Sequence, residues 1–154
     1  RSYNLMSTLE LLPNLAPNIQ DDHLHHVVER LAKNKGVKER DETKYLDMYW
    51  EPFLIAAVIG FTRELGRKKL SGKKSAPFKY STIQTNSANS IKTLVAFCVA
   101  TEGYEILNDH TELNKCIEEH ANSGFDFLSE IIGMDKNHFN DETGYLRLIM
   151  ELSD

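Results

Sequence analysis

Between Phe53 and Phe61 the chain reads Phe-Leu-Ile-Ala-Ala-Val-Ile-Gly-Phe, an uninterrupted run without a polar side chain. A helix of this composition is apolar on every side, so its neighbours have to enclose it. The run is too short to cross a bilayer, which takes about 20 residues. It is therefore expected to be the central helix of a folded core, and no membrane segment is expected. No basic region followed by a long apolar stretch opens the chain, so no targeting segment is expected either.

The rest of the sequence supplies the cover. Asp21 and Asp22 offer caps to a helix whose Leu24, Val27, Val28 and Leu31 fall on one stripe, with Lys33, Lys35 and Gly36 as its stop. A second helical region is expected from Asp41 or Thr43 through Tyr45, Leu46, Tyr49 and Trp50, with Pro52 in a first turn or at a kink. Phe78, Tyr80 and Thr82 alternate with Lys79, Ser81 and Ile83, which reads as a short extended piece from Pro77 to Ile83.

Asn86 or Ser87 then caps a helix with Ile91, Leu94, Val95, Cys98 and Val99 on one face, ending before Gly103. Asp109 or Thr111 opens the longest helix, which keeps its period from Leu113 to Ile132 and closes at Gly133. A last helix, capped near Asn140 or Asp141, carries Tyr145, Leu148, Ile149 and Leu152. The expected fold is mainly α: a compact bundle of about five helices with one exposed basic loop and at most a short strand. Residues 1–20 read as an irregular lead-in and residues 21–154 as a single helical domain, a size one core can serve.

Charge is distributed unevenly over this frame. Residues 63–79 hold seven Lys/Arg and one Glu, a local charge of +6, within a chain of net charge −5. Residues 101–154 carry −10. A uniformly basic nucleic-acid binder is excluded, and a local polyanion-contacting loop is favoured. Arg63, Arg67, Lys68, Lys69, Lys73, Lys74 and Lys79 are the expected phosphate contacts, with Ser71, Gly72 and Ser75 leaving backbone N–H groups to anions. The partner is read as nucleic acid, with DNA favoured. An acidic protein surface, the acidic third of a second copy, or simple solvation of the loop are the alternatives.

No other constellation points to a reaction. His23, His25 and His26 lack the further ligands zinc requires and read as surface histidines of a first turn. Cys116 and His120 share a helix face with Leu113 and Ile117 and read as core. Asp47/Glu51, Glu118/Glu119 with Asn122, and Asp126/Glu130 read as solvated helix faces. Glycine-rich nucleotide loops, the His-Glu-x-x-His zinc motif and the Gly-x-Ser-x-Gly elbow are absent from the sequence. No catalytic residue, metal or cofactor is assigned. Cys98 and Cys116 on apolar faces suit reduced thiols, hence a cytoplasmic location. Phe78, Tyr80 and Trp50 stand beside the basic loop, where aromatic rings can stack on unpaired bases, although Phe78 and Tyr80 read first as anchors for the loop's exit.

Four blocks carry a family resemblance: Ala56-Ala-Val-Ile-Gly-Phe-Thr-Arg63, Pro77-Phe-Lys-Tyr-Ser-Thr-Ile83, Ala100-Thr-Glu-Gly-Tyr-Glu-Ile-Leu107, and Glu118-Glu-His-Ala-Asn-Ser-Gly-Phe-Asp-Phe-Leu128. In this order, over Thr43 to Gly133, the chain resembles the DNA phosphorothioation-associated protein 4 family, accessory proteins of Dnd-type DNA modification and restriction systems. The resemblance implies a role in bacterial anti-phage defence, with DNA or larger defence proteins as partners. It implies no catalytic residues.

Overall fold

The computed structural model describes residues 8, 10–33 and 44–153, the side chains of 152 and 153 excepted. The helix stop expected at Lys35 and Gly36, the helix start expected at Asp41 or Thr43, the side chain of Leu152 and the first residues of the lead-in lie outside the described residues. What is described is mainly helical, with one two-stranded antiparallel sheet.

Helix α1 is built from three consecutive stretches, Asp21–His23, a π-helical Leu24–Val28, and Glu29–Leu31. It buries Val27, Val28 and Leu31 as its stripe requires. Helix α2 is Trp50–Thr62, α3 is Tyr80–Asn86, α4 is Ala88–Glu102, α5 is His110–Met134 and α6 is Glu142–Ser153. Strands β1 (Ile19–Gln20) and β2 (Lys74–Ser75) pair with Ile19 opposite Ser75 and Gln20 opposite Lys74.

The apolar run forms α2, and Phe53, Ala56, Ala57 and Ile59 are fully enclosed. Pro52 sits in its first turn, where the missing N–H costs nothing. The Glu51 side chain accepts from the backbone N–H groups of Asp47 and Met48 just ahead of the helix, at 3.3 and 3.0 Å. The long helix α5 opens as expected at Asp109, whose carboxylate accepts from the Glu112 N–H at 3.0 Å. It runs one residue past Gly133, to Met134.

Helices α2 and α5 form the centre of the molecule by an unusually close approach. A Cβ on Gly60 would stand 2.7 Å from the carbonyl carbon of His120, and one on Gly124 would stand 2.9 Å from Ala56 Cα. Each helix therefore sets a small residue against the other's backbone, four residues apart on both, and only glycine fits at these two points.

Three expectations change. Pro77 to Ile83 is not extended, since the chain turns into α3 at Tyr80. Tyr80 and Ile83, one helical turn apart, are both fully buried, and the Tyr80 hydroxyl donates to Asn114 Oδ1 at 2.7 Å. Tyr45 and Leu46 are not helical: Leu46 pairs with Ala32 in an isolated parallel bridge, closed by Lys33 N–H to Leu46 O at 2.9 Å. The segment from Leu12 to Gln20, read as a lead-in, carries a 3-10 turn at Leu12–Asn14 and puts Leu12 and Ile19 into the core.

Candidate nucleic-acid interface

The basic segment leaves α2 through a reversal in which Glu64 (φ 53°) and Gly66 (φ 80°) take left-handed backbone, and it re-enters the fold at α3. Between these points an exposed loop was expected. It is fastened along its length instead. The Lys68 N–H donates to Glu119 O at 3.1 Å, the Ser123 hydroxyl to Gly66 O at 2.7 Å, and Asn122 Nδ2 to the carbonyls of Lys68 and Lys69 at 3.1 and 3.3 Å. Further on, the Ser71 N–H donates to Gln20 Oε1 at 2.9 Å, the Asp21 N–H to Lys73 O at 2.9 Å, and β2 pairs with β1. The segment is a strap lying over α5 and the start of α1.

Two of its cations fasten it further. Arg67 Nε reaches Glu119 Oε1 at 2.9 Å, its Nη2 reaches Glu112 Oε1 at 2.8 Å, and its Nη1 reaches Glu102 Oε1 at 3.3 Å. A planar guanidinium with donors on three sides suits this bridging; an ammonium does not. Burial opposes the charge on Arg67, but the hydrogen bonds it donates to Glu112 and Glu119 outweigh it and hold its pKa above the ordinary value. Lys68 Nζ pairs with Asp126 Oδ2, whose other oxygen lies 2.8 Å from His23 Nε2. A carboxylate only accepts, so the His23 ring carries its proton on Nε2.

His23 was expected at the surface and is 4% exposed, stacked on Phe125 at 5.4 Å between ring centres. Glu118, read as part of a solvated face, is buried; its Oε1 accepts from Asn18 N and Nδ2 at 2.8 and 3.1 Å. Burial raises the Glu118 pKa against these hydrogen bonds.

The seven basic side chains thus divide. Arg63 caps the end of α2 and lies over the Phe127 ring at 4.8 Å, a cation–π contact. Arg67 and Lys68 are held by carboxylates. Lys69, Lys73, Lys74 and Lys79 are exposed and make no side-chain ion pair among the described residues. Gln20, Asn122, Ser123 and Asp126, which position this set, were not singled out as its supports in the sequence. The available signal was the polar pair Asn122-Ser123 in the middle of a long helix, where such residues are poor formers unless their side chains have other work.

Cys98 and Cys116 are both free and buried, as expected, with Cys116 Sγ 3.6 Å from His120 Nδ1. Cys116 is the more acidic of the two, because Cys98 and His120 both favour its thiolate, while Cys98 is pushed up. His120 is 2% exposed and stacks on Phe61 at 4.0 Å, so this group belongs to the core. Elsewhere, Lys92, Val95, Val99, Ala100, Tyr104 and Leu107 line an apolar groove of about 720 Å³ on α4 and the 3-10 turn Tyr104–Asn108. No described helix is long and apolar enough to cross a membrane.

Fold and site together define a small helical scaffold carrying a fastened basic strap and, among the described residues, no cluster of ligands suited to a metal ion. Residues 24–152 match the family model of DNA sulphur modification system-associated protein 4, and the chain belongs to that family. Membership associates it with a DNA sulphur modification system. No curated protein and no solved structure matches the chain.

Proposed function

We propose that the protein is an accessory component of a DNA sulphur modification and defence system that holds nucleic acid by its backbone phosphates. Lys69, Lys73, Lys74 and Lys79 make the contacts; Arg63, Arg67 and Lys68 hold the strap that displays them. The observation carrying this reading is the division of labour within the strap. Fastening by Arg67, Asn122 and β2 fixes the backbone, so four ammonium groups are offered to solvent from a pre-ordered support, which lowers the ordering cost of binding. The expected activity is binding without catalysis. Replacing all four lysines by Gln is expected to abolish retardation of labelled DNA at low salt while leaving the fold intact. Unchanged binding by that variant overturns the reading.

The adaptor alternative has its own support in the α4 groove, whose apolar lining suits a helix or loop of a larger protein of the same system. A partner recovered in stoichiometric amount after nuclease treatment, and lost on Val99→Asp, would favour it.

A further inference from the structure

Where the strap rejoins the helices, Tyr49, Trp50, Pro77 and Phe78 line a pocket of about 250 Å³, with Lys33 and Asp47 also in its wall. Its aromatic surfaces are fixed from below. Phe78 meets Phe53, a fully buried residue of α2, edge-on at 5.4 Å and 70°, and Trp50 Nε1 donates to Met48 Sδ at 3.3 Å. Lys33 Nζ and Asp47 Oδ1 stand 3.4 Å apart, so a donor and an acceptor share the pocket's wall. Flat aromatic faces beside one donor and one acceptor match the chemistry of a nucleobase.

The position of the pocket argues for the same occupant. Lys79 directly follows Phe78, and Lys74 lies four residues before it, within about 14 Å along the chain. A group held against Phe78 and Trp50 would therefore have its attached phosphates among exposed ammonium groups. We propose that this pocket takes one unpaired nucleobase of a single-stranded segment, with the flanking phosphates on Lys79 and Lys74. The proposal rests on the phosphate-binding reading and adds the strandedness of the ligand. A duplex keeps its bases stacked inside, and extruding one opposes binding.

Trp50 is the chain's one tryptophan, so its emission reports on the pocket directly. The full chain is titrated with a short oligothymidylate, with an abasic oligomer of equal length, and with a blunt duplex. The expected result is quenching of Trp50 by the oligothymidylate alone, with affinity about 5- to 100-fold above the abasic oligomer. Oligodeoxyribonucleotide and oligoribonucleotide arms tell which source of unpaired base the pocket prefers. Phe78→Ala is expected to remove the quenching and the preference while keeping the salt dependence set by the lysines. Should that variant fail to fold, the comparison of normal and abasic oligomers on the wild-type chain decides alone. Equal affinity for both, with unchanged Trp50 emission, overturns the pocket but leaves the phosphate reading standing; failure of every nucleic acid to bind overturns both.

Discussion

Gly60 of α2 rests on the backbone carbonyl of His120 in α5, so closely that a Cβ on Gly60 would stand 2.7 Å from that carbonyl carbon. The contact sets the position of the helix that bears Glu119, Asn122, Ser123 and Asp126, the residues that fasten the strap. Gly60→Ala is expected to destabilise the fold even though alanine is intrinsically the better helix former by about 1 kcal/mol. The clash is with backbone, which cannot swing aside, and overpacking of this kind costs about 1–3 kcal/mol or more. Urea unfolding of wild type and variant checks it; an unchanged or raised midpoint would contradict the close approach.

Arg67 is the second fastening. Arg67→Lys keeps the charge but cannot bridge Glu102, Glu112 and Glu119 at once, so it is expected to behave more like Arg67→Ala than like wild type. Arg67 is only partly buried and the pairs are partly screened, which limits the loss to about 1–2 kcal/mol. Limited trypsin digestion reads the local effect: cleavage after Lys68 and Lys69 is expected to quicken several-fold in both variants. Equal cleavage in wild type and variants would show that the strap does not depend on this residue.

Glu118 makes stability depend on pH. Burial raises its pKa in the folded chain above the ordinary 4.5, so its proton is held more tightly folded than unfolded. The contribution is fully present below about pH 4.5 and is lost as the pH rises through the folded value. Glu118→Gln keeps an oxygen for the two Asn18 donors and carries no charge. Relative to wild type it is expected to gain stability as the pH rises through this window and to stay level below it. Denaturant midpoints across a pH series measure the difference; a gain that shrinks with rising pH would reverse the assignment.

The Tyr80 hydroxyl donates to Asn114 Oδ1 from a fully buried ring. Tyr80→Phe is expected to cost about 1 kcal/mol, the worth of one such hydrogen bond, with the ring's packing retained. A loss several times larger would mean that the hydroxyl organises more than this pair.

Much of the frame was legible from side-chain period. Phe53 to Phe61 had to be enclosed, and the stripes of α1, α4 and α5 place Val27, Leu94 and Leu113 in the core where they are found. The stretch at Tyr80 was not legible, because the alternation of Phe78, Tyr80 and Thr82 with Lys79, Ser81 and Ile83 fits a short strand, whereas the burial of both Tyr80 and Ile83, three residues apart, fits a helical turn. The seven basic residues were visible as a group, but their division was not. Whether Arg67 faces solvent or three carboxylates depends on α4 and α5 lying side by side, a tertiary fact with no local signature. The same holds for His23, whose burial follows from Asp126 and Phe125, about a hundred positions away in the chain.

Binding of labelled DNA as a function of salt tests the central claim most directly. If Lys69, Lys73, Lys74 and Lys79 each neutralise a phosphate, log K falls with log[salt] at a slope of about −3 to −4, and each Lys→Gln substitution flattens it by nearly one. A slope that stays the same when all four are replaced, or binding insensitive to salt, would contradict the account.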